Sequence, residues 1–328
     1  MHPPLTRLTS HLLSNFDWMH AVLLLAQGED HMLVAAVVNV KAEESGTLAG
    51  YSGDDVHGFW FKHWAELCPS FADSLHEPGP KPFTVSPLMG LPCPQRGLTR
   101  IERGQRSWFR VTALTDSLSA RLEAEWLPGL PQCIRLGTCR WRLLGFVTSA
   151  AAHPWAGTVD LDELAEQKLS AASPPVSWQL GFETPTSFHG DVGHLAFPLP
   201  NVLVRSWLET WRPFCSPALA QRLPEDLPEL ARYGLVVSSY DLGTVPVRLG
   251  QLKQGLFIGC VGRVALRALK PKYTGKRSTG LEADELRAVD LLAALSLWSG
   301  SGHHTALGLG MTRPRTLTTA SSHEAPDR

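Results

Sequence analysis

The chain has 328 residues, 44% hydrophobic and 19% charged, with a formal net charge of −1. That composition excludes a disordered chain and supplies a sizeable core for one large or two ordinary domains. The near-zero balance excludes a molecule that draws polyanions over its whole surface, so any nucleic-acid site must come from local clustering.

Residues 1–30 precede the first convincing strand and read as an N-terminal extension with helical character around 12–26. The apolar run 21–26 is too short for a bilayer and has no basic flank or small-residue cleavage site, so neither membrane insertion nor secretion is expected. Six cysteines without a CxxC pair, and without histidines at zinc spacing, suit reduced thiols in a cytoplasmic protein. No metal or cofactor is expected.

Residues 32–41 (MLVAAVVNVK) form a β-branched strand, Gly53-Asp54-Asp55 opens a helix over 56–67, and Pro69 starts a short turn ending at 75–77. Strands over 82–88 and 107–114, a helix over 116–126 and a strand over 135–148 complete the order βαββαβ. In that split unit an antiparallel sheet carries two helices on one face and leaves the other available. The unit occupies residues 31–150. Residues 151–175 turn Ala-, Ser- and Pro-rich around a short acidic helix and read as a linker. The same order repeats over 176–318: strand 176–188, helix 201–211, strands 235–249 and 256–269, helix 282–298, a glycine-rich loop and strand 305–317. The fold class is therefore α+β, two tandem ferredoxin-like (βαββαβ, RRM-like) domains, with a frayed tail at 319–328. Trp126, Trp178, Trp207, Trp211 and Trp298 fall at element spacing and are assigned to the cores.

The glycine-rich stretch SGSGHHTALGLGMTR at 299–313 follows a helix, whereas phosphate loops follow a strand and open a helix. A helix C-cap needs one left-handed glycine. This loop has two before and two after His303-His304, a surplus that favours a binding role in which its amide hydrogens turn outward to a phosphate chain.

The pattern GSGHHTALGLGMTR resembles the C-terminal glycine-rich loop of the CRISPR-associated endoribonucleases that cut precursor guide RNA within its repeats, members of the RAMP superfamily. Two further stretches are similar to that family: LHE followed by GPKPFTVSPL at 75–88, and LGFETPTSFHGDVGHLAFPLPN at 180–201. The resemblance implies that Gly300, Gly302, His303, His304, Thr305, Gly308, Gly310 and Arg313 contact RNA, that His76 takes the catalytic histidine position and that Lys81 takes the lysine position. At the position where part of the family has a tyrosine, fifteen residues before that histidine, this chain has Phe61. His57 or His63, on the preceding helix, would supply the second proton-transfer group.

RNA carries its own nucleophile: a deprotonated 2'-hydroxyl attacks the adjacent phosphate in line and leaves a 2',3'-cyclic phosphate and a 5'-hydroxyl, with no metal. An imidazole can serve as base or acid in this reaction and contributes roughly 10²- to 10⁴-fold, while a lysine stabilises the charged transition state. Arg248, Lys253, Arg263, Arg267, Lys270, Lys272, Lys276 and Arg277 fall in one stretch without an Asp or Glu, a candidate phosphate track beside the loop. Tyr273 would stack on a base, and the basic region 96–110 reads as a loop that orders on RNA. The expected function is metal-independent cleavage of CRISPR repeat RNA. Effector-complex proteins and a homodimer are the further partners the resemblance implies. The rivals are a non-catalytic guide-RNA-binding subunit of the same superfamily and a small-molecule or nucleotide-binding α+β enzyme.

Overall fold

The computed structural model describes residues 31–91, 98–190, 193–250, 256–274 and 277–316. The extension 1–30, the tail 319–328, Lys253 and Lys276 lie outside them.

Strand β1, Met32–Ala42, is a run of small and β-branched apolar residues buried on both faces, as a central strand should be. It lies between β3 (Arg106–Ala113) and β4 (Cys139–Val147), and β2 (Phe83–Val85) pairs with the outer side of β3. Every pairing is antiparallel, in the order β2-β3-β1-β4. Helices α1 (Gly53–Leu67) and α2 (Pro69–His76) join β1 to β2, and α3 (Asp116–Arg121), continued by a π turn over Leu122–Trp126, joins β3 to β4. Trp60, Trp64, Phe83, Phe109, Trp126 and Trp141 fill the core beneath them. The strand expected over 135–148 is a hairpin, Cys133–Leu136 against Cys139–Val147, because the chain turns at Gly137 with φ 59°.

The stretch 151–175 is structured. Strand β5, Gly157–Asp160, extends the first sheet by pairing with Met32–Ala35, and α4, Leu161–Leu169, is capped by the Asp160 carboxylate accepting from Glu163 N–H at 2.8 Å. Leu161, Ala165 and Leu169 join the second domain's core. The Ser/Pro signal marks only the residues after α4.

The second domain repeats the order. Strands β6 (Ser177–Thr186), β7 (Leu235–Val247), β8 (Phe257–Ala268) and β9 (Thr312–Thr316) form an antiparallel sheet in the order β7-β8-β6-β9, with α5 (Pro200–Trp211) and α6 (Ala283–Ser299) as its crossovers. Both domains thus carry the ferredoxin-like arrangement in which the third strand pairs with the first. Two short helices missed in the sequence, Pro217–Gln221 and Leu227–Gly234, lie between α5 and β7. The expected strand 305–317 shortens to β9, and Thr305–Leu307 is a 3₁₀ turn.

Helix α6 is apolar nearly all round, and such a helix needs burial on every side. Its leucines share one cluster with Trp178, Trp207 and Trp211 of the second domain and with Leu33, Ala35 and Leu114 of the first. Thr84 Oγ1 donates to the Trp298 carbonyl at 3.3 Å, the Trp298 indole donates to Gly157 O at 3.2 Å, and Arg110 donates to the Leu297 carbonyl. The sheet face expected to stay available in the first domain is therefore covered here by the second. Arg110, at the overlap of the strand expected over 107–114 and the basic loop expected over 96–110, lies within β3 at 3% exposure, and burial lowers its guanidinium to about 9.

Candidate active site

A cleft of about 550 Å³ opens where α1 and α2 of the first domain meet α5 and the glycine-rich loop of the second. Of the candidates, His57, His76 and Lys81 line one side, and Gly302, His303, His304 and Thr305 line the other. Residues far apart in sequence thus share one cavity, because α6 delivers the loop to the ends of α1 and α2.

Phe61 organises the first side. His76, the last residue of α2 and exposed, stacks on the Phe61 ring at 3.7 Å between centroids and 21°, while His57, one turn before Phe61, meets it edge-on at 4.8 Å. His57 Nδ1 lies 2.8 Å from the Ala306 carbonyl. A carbonyl only accepts, so Nδ1 carries the hydrogen and Nε2 keeps a free lone pair. Burial chiefly, with the His76 and Lys81 charges adding, lowers the His57 pKa below its ordinary 6.5. Lys81 Nζ donates to the carbonyls of Leu75, at 3.1 Å, and Glu77, and so closes the C-terminal turn that carries His76. His63 does not reach the cleft. It is buried at 3% exposure, stacked on Phe59, with Nε2 3.1 Å from the Trp126 carbonyl. Three or four residues along a helix share a face with a given position, and His63, six from His57, turns into the core instead.

The loop is tied inward rather than open. Gly300, Gly302, Gly308 and Gly310 all have positive φ. The amides of Gly300, Ser301, Gly302, His303, Gly308, Leu309 and Gly310 donate to acceptors within the protein. The expectation of outward amides therefore fails, since the glycines serve tight folding. A Cβ on Gly302 would stand 2.2 Å from the Ser187 carbonyl, and one on Gly53, where α1 begins, 2.2 Å from the Leu307 carbonyl. What the loop presents is side chains. Its serines are fixed by indoles assigned only to the core: Trp207 Nε1 donates to Ser301 Oγ at 2.8 Å, and Trp211 Nε1 to Ser299 Oγ at 3.1 Å. His304 is the non-glycine residue held left-handed among those described, at φ 61°. Burial lowers its pKa, as do His194 and His189.

The family model for CRISPR-associated endoribonuclease Cas6 matches residues 180–312. A solved Cas6 product complex is similar to the chain at 26% identity and a TM-score of 0.67, over 86% of this chain and 100% of that one. Cas6 of Thermus thermophilus is similar at 26% identity and TM-score 0.63, over 88% and 100%. The chain shares its fold with solved Cas6 endoribonucleases, and its second half matches the family model of that endoribonuclease. A partial Cas6-RT-Cas1–Cas2 complex, at 18% identity and TM-score 0.50 over 88% of this chain and 47% of that one, shows the fold alone. No curated protein sequence matches the chain.

The remaining basic candidates lie away from the cleft. Arg263 of β8 and Arg313 of β9 both pair in register with Gly181 of β6, and they line a cavity of about 160 Å³ on the open face of the second sheet with Arg315, Gln179, Glu183 and Trp155. The Arg313 guanidinium stands 5.7 Å over the Trp155 ring. Arg267 is exposed on the same strand as Arg263, and Lys270 is exposed just past its end. Lys272 and Arg277 belong to a short hairpin, Lys272–Thr274 against Arg277–Thr279. The phosphate track of the sequence thus divides between a sheet face and that hairpin.

The cleft also holds residues that the sequence alone did not single out. Arg205, Ser206, Glu209 and Thr210 of α5 line it, and the spacing of Arg205 and Glu209 by four was the available signal that they share a helix face. His189 and His194 converge on His303, with one ring nitrogen from each lying within 4.8 Å of the others. No metal was expected because the sequence lacks zinc-ligand spacing, and these three imidazoles come from 189, 194 and 303.

Proposed function

We propose that this Cas6-type protein binds the repeat of a CRISPR precursor transcript in the interdomain cleft and cuts it without metal. His57 Nε2 takes the proton of the 2'-hydroxyl. The oxygen attacks the adjacent phosphorus, the bond from phosphorus to the 5'-oxygen breaks, and His76 delivers a proton to that oxygen. The products are a 2',3'-cyclic phosphate and a 5'-hydroxyl. Lys81 stabilises the charge that builds on the phosphate oxygens. His304 and the glycine-rich loop hold the strand in place, and the arginines of the second sheet's open face contact backbone phosphates beyond the cleft.

The observation that carries this reading is the pairing of His57 and His76 against Phe61 in a cleft whose opposite wall is the glycine-rich loop. A base must be neutral at the working pH, and burial, which lowers the His57 pKa, favours that form. Partners follow from the reading: repeat RNA and its guide product, and CRISPR-associated proteins that would receive that product.

Single-turnover cleavage of a labelled repeat RNA by His57→Ala and His76→Ala tests the assignment. Each is expected to fall by roughly 10²- to 10⁴-fold with RNA binding retained. Phe61, at the tyrosine position, favours one second reading, a guide-RNA-binding subunit that does not cut. Tight binding of repeat RNA by the wild type with no cleavage would establish it.

A further inference from the structure

Three imidazoles that the proposed reaction leaves unused meet at the rim of the cleft. His189 and His194 stand directly opposite each other across the ribbon Phe188–Gly190 and Gly193–Leu195. Such pairs project from one face with Cβ atoms about 4.5–5.5 Å apart. His303 reaches them from the glycine-rich loop, whose backbone is tied to the base of the ribbon by His303 N–H donating to the Ser187 carbonyl at 3.1 Å. His303 Nδ1 lies 2.8 Å from His189 Nε2, and its Nε2 lies 3.2 Å from His194 Nδ1. No carboxylate or thiol belongs to the group.

Zinc bound to histidine at 2.0–2.1 Å in a tetrahedron needs ligand nitrogens about 3.3 Å apart. The spread within 4.8 Å closes to that value with side-chain adjustment on a ribbon whose two histidines are exposed. Imidazole suits zinc, nickel and copper over magnesium or calcium, and a metal takes the ring in its neutral form.

We propose that His189, His194 and His303 form a site for one divalent transition-metal ion of the zinc class, which clamps the ribbon to the glycine-rich loop at the rim of the cleft. Three protein ligands leave one position of a tetrahedral ion for water. The ion adds two positive charges beside the path of an RNA strand and takes no part in the proton transfers of His57 and His76.

The test uses the full-length chain stripped of metal by chelation and titrated with Co²⁺, with Zn²⁺ as competitor, alongside His194→Ala and His189→Ala. The expected result is one Co²⁺ per chain with the ligand-field absorption of a nitrogen-ligated, low-coordinate site, displaced by Zn²⁺. Either variant should bind at least about tenfold more weakly, because losing even an outer-shell partner costs about 10- to 100-fold. Zn²⁺ should raise the melting temperature of the wild type and leave that of the variants unchanged. Circular dichroism of the metal-free proteins checks that the variants fold, and should they not, the wild-type titration decides alone. A wild type without a stoichiometric ligand-field band, or variants that bind Co²⁺ as the wild type does, would overturn the proposal. RNA cleavage in chelator is read separately, so the failure of this site and the failure of the nuclease reading are distinct results.

Discussion

His57 is held by a carbonyl and His76 by the face of a ring, and the proposed division of their work rests on that difference. The Ala306 carbonyl leaves Nε2 of His57 as the free lone pair, and burial lowers the pKa of the ring below 6.5. The active form of a base is the unprotonated one. A lowered pKa therefore places the acidic limb of the cleavage profile below 6.5, with activity falling as pH drops through the lowered value. A profile of kcat/KM against pH should show this limb, and His57→Gln should abolish it. An acidic limb centred above 6.5 would count against the assignment. His63 makes the opposite case. Its Nε2 lies 3.1 Å from a buried carbonyl, so His63→Ala strands that carbonyl and costs about 1–3 kcal/mol of stability. Denaturant melts should record this loss while cleavage per folded molecule stays at the wild-type rate. In sequence the two histidines looked equivalent. Only the turn of α1 separates them, and a turn of helix is legible once the buried face is known.

At the scale of elements, the glycine-rich loop acts through how it is held. The sequence pattern located it correctly and misread its amides, because glycine count reports backbone freedom and not the direction in which donors point. Two tryptophans of α5 seat its serines, and Ser187 and Ser206 accept from the amides of His303 and Gly302, the latter at 2.7 Å. Gly302→Ala brings a Cβ to 2.2 Å from a backbone carbonyl at φ 77°. Neither the carbonyl nor the φ can be relieved by a rotamer change, so a loss of about 1–3 kcal/mol, the usual cost of strain at such a position, is expected. Repeat-RNA affinity should fall with it, because His303 and His304 come directly after; calorimetry and filter binding measure the two effects. Lys81 is a further element-scale device, fastening the end of α2 beneath His76 as well as lying in the cleft.

Across the whole molecule, the two βαββαβ units were legible because each strand has β-branched or alternating apolar residues and each crossover helix has a spaced apolar face. Their relation was not. Nothing in the spacing of α6 says that its second face meets Leu33, Ala35 and Leu114, although its uniform apolarity is the trace of that contact. The stretch 151–175 looked like a linker because its end is rich in Ser and Pro, while Trp155 and Leu161 before it are built into the cores. Shared cores couple the halves. Thermal unfolding followed by calorimetry and by tryptophan fluorescence should give one coincident transition, where two would mean that α6 does not join the domains as described. The same coupling makes the cleft, since α6 sets the loop against α1 and α2.

The most direct measurement of that cleft's chemistry is cleavage of a repeat RNA in excess EDTA, beside the same RNA with a single 2'-deoxy sugar at the cut. One cut is expected that survives EDTA, ends in a 2',3'-cyclic phosphate and disappears with the deoxy substrate. A cut that persists without the 2'-hydroxyl, or that EDTA abolishes, would contradict it.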